Sequence, residues 1–131
     1  MRQPAAKQGD QVIATDTHII MIPSPGGPVP TPLPHPFTGK IDGSLSSNVN
    51  IDGKPAATQD STATNTPSHM PQGGPFQKPP SNRGTVQIGS STVFINGKPA
   101  ARNGDKAITC NDPADLPVGT VVAASQVMIG G

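Results

Sequence analysis

Four side chains in this sequence carry metal-binding or nucleophilic chemistry: His18, His35, His69 and Cys110. They are its only histidines and its only cysteine. A single cysteine has no partner for an internal disulfide, so it is a free thiol, a metal ligand or a nucleophile. Three neutral imidazoles and one thiolate make a complete tetrahedral set for zinc. Imidazole with thiolate also favours Zn²⁺ over Mg²⁺ or Ca²⁺. Four protein ligands leave no open position, so such a site would be structural. Two other readings stand beside it. Scattered His and Cys are ordinarily surface or packed side chains, and no Cys-x-x-Cys pair marks zinc here. A catalytic Cys–His pair needs an orienting third group, and nothing in the sequence marks one. Asp16, Asp42, Asp112 and Asp115 read as turn and solvated acids, and the four methionines as gap-fillers or terminal residues.

A repeat supplies the elements that must position these side chains. Residues 48–57 read Asn-Val-Asn-Ile-Asp-Gly-Lys-Pro-Ala-Ala, and residues 92–101 read Thr-Val-Phe-Ile-Asn-Gly-Lys-Pro-Ala-Ala. The chain opens with the back half of this phrase, Pro4-Ala5-Ala6-Lys7-Gln8-Gly9-Asp10. It ends on the front half, Val127-Met128-Ile129-Gly130. Two full copies and one copy split between the termini predict three equivalent units closed into a ring, with the chain ends together. Within a unit, Val-x-Ile alternation places both apolar side chains on one strand face. Asp52-Gly53 and Asn96-Gly97 are tight-turn signals. Pro55 and Pro99 open the following strand, and Ala-Ala suits close packing at a narrow axis. The expectation is one all-β domain over residues 1–131. His18 lies eight residues after Asp10, His69 nine after Asp60 and Cys110 five after Asp105. Threefold closure would therefore send three candidate ligands to one end, with His35 folded over them.

Composition narrows the function. The sequence holds 17 Pro and 15 Gly but three Phe, no Tyr and no Trp, and 32% of it is apolar, against about 45–50% in ordinary domains. A core of Val, Ile and Ala this thin calls for help from a metal or a partner. The net charge is +1, with no basic patch and almost no aromatics, which argues against nucleic-acid binding. Apolar runs such as 19–22 and 121–124 are too short to span a membrane. The N-terminus has no apolar signal-peptide core, so export would proceed without one. Residues 23–40 hold seven prolines and residues 66–84 five. Both segments read as long extended loops, which in a compact domain must be tied down.

Pro4–Asp10 and the literal Pro99-Ala100-Ala101-Arg102-Asn103-Gly104-Asp105, with the Gly-Ser-x-x-Val-x-Ile-Asn-Gly stretch from Gly89 to Gly97, resemble the motif and inter-motif strand of PAAR-repeat proteins. That resemblance implies a small cone of β-strands with pseudo-threefold symmetry. It implies docking on a trimeric VgrG-like spike, one cap per trimer, in type VI secretion or a related phage-tail-like contractile injection system. It implies zinc bound near the tip by three His and one Cys, here His18, His35, His69 and Cys110. The expected role is mechanical: a sharpened spike for membrane puncture, assembled in the cytoplasm and delivered outside the cell. Many members carry toxin extensions or effectors. This chain stops at its last strand and so reads as a bare tip. A small binding module for another partner and a zinc hydrolase are the competing functions. The second unit departs from the motif, reading Pro55-Ala56-Ala57-Thr58-Gln59-Asp60 without the Arg and the Gly. The first has Lys7 for Arg.

Overall fold

The computed structural model describes residues 2–130, and among these it contains strands and no helix. In chain order the strands are β1 (Gln3–Pro4), β2 (Gln11–Ile22), β3 (Val29–Gly43), β4 (Asn50–Ile51), β5 (Lys54–Pro55) and β6 (Thr62–Asn65). They continue with β7 (Arg83–Val86), β8 (Phe94–Ile95), β9 (Lys98–Pro99), β10 (Lys106–Thr109), β11 (Leu116–Val122) and β12 (Met128–Ile129).

Three small hairpins form one end. β4 pairs with β5 and β8 with β9, each across a two-residue turn. In those turns Asp52 and Gly53 have φ of 50° and 82°, and Asn96 and Gly97 have 53° and 80°. Two consecutive positive φ values are the turn that matches strand twist, which is why Asp-Gly and Asn-Gly stand there. The third hairpin has no turn, because β12 pairs with β1 across the chain ends. The three units then lock in a cycle. Ala6 N–H donates to Ala101 C=O (2.9 Å), Ala101 N–H to Ala57 C=O (3.1 Å) and Ala57 N–H to Ala6 C=O (3.0 Å). Ala5, Ala6, Ala56, Ala57, Ala100 and Ala101 are all buried. Only a methyl group fits where three backbones converge on an axis.

The structure corrects the register of the second unit. Asp60 N–H donates to Val86 C=O as Gly9 N–H does to Ile41 C=O and Gly104 N–H to Val121 C=O. Asp60 therefore occupies the glycine position, with φ of 76° against 89° at both glycines. Ser61 occupies the aspartate position. Its Oγ accepts Thr58 N–H at 2.9 Å, as Asp10 accepts Lys7 N–H (2.9 Å) and Asp105 accepts Arg102 N–H (2.8 Å). Counted from Ser61, His69 is eight residues on, the same interval that separates His18 from Asp10.

Beyond the ring, β10-β11-β2-β3-β6-β7 close into an antiparallel barrel. Val12, Ala63 and Ala107 line it, with Ile41, Val86 and Val121, all at most 1% exposed. Farther along the axis, Phe37 fills the interior against Gly39 and Gly84. A Cβ on Gly39 would meet the Phe37 ring at 2.7 Å, one on Gly84 would meet it at 3.2 Å, and one on Gly119 would meet Thr109 Cγ2 at 2.9 Å. One aromatic ring surrounded by absent side chains is how so apolar-poor a sequence fills its core.

The first proline-rich segment is not a loop over most of its length. Val29–Gly43 is a strand, and its residues 29–40 pair without interruption with Gln11–Ile22. Pro30, Pro32, Pro34 and Pro36 stand opposite Met21, Ile19, Thr17 and Thr15. Spaced by two, they all fall where the backbone faces away from β2, so no ladder donor is lost. The matching outward groups of β2 are met by other segments. Thr17 N–H donates to Asn111 Oδ1 (2.7 Å), Ile19 N–H to Asp112 Oδ2 (2.9 Å) and Met21 N–H to Pro75 C=O (2.8 Å). Most of the second segment is the expected loop, and it is tied: Gln77 N–H donates back to Ile19 C=O at 2.9 Å. Gly74 is obligatory at this crossing, since a Cβ there would lie 2.0 Å from the Met21 carbonyl oxygen.

Candidate metal centre

Period-two alternation on β2 turns Val12, Asp16, His18 and Ile20 inward, all at most 1% exposed. Across the ladder, His35 faces inward from β3 as the partner of Asp16. His69 enters from the segment after β6, and Cys110 directly follows β10. The three imidazoles meet: ring centroids are 4.9 Å apart for His18 and His69, 5.4 Å for His18 and His35, and 5.5 Å for His35 and His69. Phe76 covers the group, 5.8 Å from His18 and 5.6 Å from His35. Cys110 Sγ lies 3.6 Å from His18 Nε2.

The structure thus brings all four sequence candidates together and adds a fifth group. Asp16, read from sequence as a turn or solvated acid, is fully buried among them. The ligand atoms of Asp16, His18, His69 and Cys110 lie within 4.8 Å of one another, and His35 stands beside that set. Asp16 Oδ2 is 2.9 Å from His69 Nε2 and 3.4 Å from Cys110 Sγ. Its Oδ1 accepts from Thr109 Oγ1 and from Asn111 Nδ2 (3.4 Å). The signal that would have found it is strand parity. Asp16 stands two residues before His18 and shares its face. Asp112 is also no solvated acid: besides capping Ile19, it lies 3.5 Å from His18 Nδ1.

Outer partners orient the rings. His35 Nδ1 is 2.9 Å from Leu33 C=O, and His69 Nδ1 is 3.3 Å from Asn65 Nδ2. His18 Nδ1 is buried without a hydrogen bond and faces the Asp112 carboxylate. The Nε2 atoms of His18 and His69 are left to point into the cluster, the arrangement of imidazoles around a metal. Burial holds His18 below the ordinary imidazole pKa, although Asp112 pulls it the other way. Burial, reinforced by the charge of Asp16, pushes the Cys110 thiol up to about 11. The metal-free protein therefore holds a neutral His18 and a protonated thiol at neutral pH. A cation would displace the thiol proton and gain an anionic sulfur ligand. The donors fit a metal ion.

Fold and site together define a class: an all-β, pseudo-threefold repeat whose axis runs from a ring of three hairpins to a buried His/Cys/Asp cluster that could hold a metal. A model of the PAAR motif family matches residues 21–110 and again residues 76–131. The chain belongs to this family. The two overlapping matches reflect the internal repeat. No curated protein matches the chain.

Proposed function

We propose that this protein is a structural cap that closes a trimeric, VgrG-like spike in a contractile injection apparatus and sharpens it for membrane puncture. The observation that carries the reading is the Ala6–Ala101–Ala57 cycle. It lets one chain present three similar faces to three identical subunits. Past the ring the architecture falls from six barrel strands to the single β2–β3 hairpin, as a point requires. The strand edges of the hairpin ring offer backbone groups for pairing with spike strands. Assembly in the cytoplasm and delivery at the tip follow from the same role.

The cluster serves this role as a structural zinc centre rather than a catalytic one. His18, His69 and Cys110 are its common donors. The family resemblance gives the fourth place to His35, and the buried Asp16 carboxylate lies beside the set. Such a centre contributes on the order of 10 kcal/mol to folding and cross-links β2, β10 and the segment after β6. The test is to mix the protein with its candidate trimeric spike and determine stoichiometry by native mass spectrometry. One cap per three spike subunits is expected. One cap per subunit, or no complex, would refute the symmetry argument.

A further inference from the structure

We propose that Asn82, near the end of the second proline-rich segment, is a positioning residue that holds both His69 and Cys110 in place for the metal. This rests on the reading of the cluster as a metal centre and leaves its donor set as it stands.

The backbone gives the first argument. Asn82 has a φ of 58°. Asp52 and Asn96 owe their positive φ to hairpin turns, and Asp60 owes its own to the glycine position of the repeat. Asn82 lies outside the repeat. A left-handed residue with a side chain persists where its surroundings over-determine it, and such residues cluster at ligand clamps.

The surroundings of Asn82 are the site itself. Its Oδ1 accepts His69 N–H at 2.7 Å and Asn65 Nδ2–H at 3.0 Å. Its C=O accepts Asn65 N–H at 2.8 Å. Asn65 is 3% exposed and locked in turn. Its Oδ1 accepts Thr38 N–H at 2.9 Å, which turns its Nδ2 toward Asn82 Oδ1 and, at 3.3 Å, toward His69 Nδ1. Backbone donors on His69 and Thr38 thus fix which end of each amide is the oxygen. His69 is held by its backbone through Asn82 and at its ring through Asn65.

The second arm reaches the sulfur. The Asn82 backbone N–H and the Ser81 hydroxyl donate to Cys110 Sγ. The thiol directs its own proton to Asp16 Oδ2 at 3.4 Å, so its lone pairs are left to accept. Once a metal displaces that proton the sulfur is anionic, and the same N–H bond becomes charge-assisted. Asparagine and aspartate combine tolerance of a left-handed backbone with a short side-chain acceptor. Glycine supplies the backbone alone.

The experiment uses the full chain. In the unmodified protein loaded with ¹¹³Cd, scalar coupling between the metal and the Asn82 amide proton is expected, passed through the N–H···Sγ bond. Asn82→Gly keeps that N–H and the backbone angle but deletes Oδ1. Its zinc affinity by chelator competition should fall about 10–100-fold, the range of residues that support a ligand. In its zinc-loaded ¹H–¹⁵N spectra the His69 imidazole signals should broaden while those of His18 stay unchanged. Asn82→Asp keeps the acceptor and should lose less than about tenfold. Absence of the coupling would overturn the assignment whether or not the variants fold. Zinc binding by Asn82→Gly as tight as in the unmodified protein would overturn it too, as would equal loosening of His18 and His69, the mark of a general loss of stability. An unmodified protein that takes up neither cadmium nor zinc would instead remove the metal centre, and this assignment with it.

Discussion

Zinc binding should release close to one proton, and that proton should come from Cys110. The thiol is raised to about 11 by burial and by Asp16. At pH 8 only about one thiol in a thousand is then ionised. Three pH units at 1.36 kcal/mol each set the cost of deprotonation at roughly 4 kcal/mol. His18 is held below 6.5 by burial and is neutral there, so it has no proton to give. Calorimetric titration of the metal-free protein with zinc at pH 8, in buffers of different ionisation enthalpy, reads the proton directly. The observed heat plotted against buffer enthalpy should have a slope near one. Cys110→Ala should bring the slope near zero and weaken binding. Affinity should rise about tenfold per pH unit up to the region of the thiol pKa, where an unperturbed thiol would level off near 9.0. Tight binding by the unmodified protein with a slope of zero would refute the reasoning, because the thiol would then be ionised already or not a ligand.

Other outcomes follow from the same geometry. Between the ordinary thiol value of 9.0 and about 11, unfolded chains lose a proton that the folded metal-free protein keeps. Metal-free stability should therefore decline across that window, by up to about 3 kcal/mol for two units, as read from urea midpoints at stepped pH. Asp60→Gly should stabilise the protein by a few tenths to 1 kcal/mol, because it relieves a left-handed φ that the other two units give to glycine. The ion pair it removes, Asp60 with Lys98, is exposed on both sides and worth little. A lower denaturation midpoint would contradict this. Gly119→Ala should cost about 1–3 kcal/mol, since its methyl would press on Thr109, the Ala107 carbonyl and Val12 at 2.9–3.1 Å; an unchanged melting temperature would show that the barrel can give way. Ser61→Ala removes a buried hydroxyl that accepts Thr58 N–H and donates to Ser44 C=O. It should cost about 1–3 kcal/mol, measured by guanidinium denaturation.

The sequence by itself determined the all-β ring. Two full copies and one split copy of a Gly-turn, Pro-Ala-Ala phrase leave little choice of topology, because turn chemistry and methyl-sized contacts are local properties of residues such as Asn96, Gly97, Ala100 and Ala101. The four candidates His18, His35, His69 and Cys110 were legible as well, through residue type and their spacing from the repeat. Three things needed the tertiary structure. The alternating prolines of 30–36 belong to a strand because β2 accepts their intervening residues, and a missing N–H is harmless or ruinous depending on which way it points. Asp60 stands at a glycine position because hydrogen bonds, not residue identity, define the register of the second unit. Asp16 joins the histidines because barrel closure sets it against Thr109, Cys110 and Asn111, more than ninety residues away in sequence. An acidic side chain on a strand is equally consistent with solvent or with a buried ion. Only the side of the sheet that faces the axis decides between them.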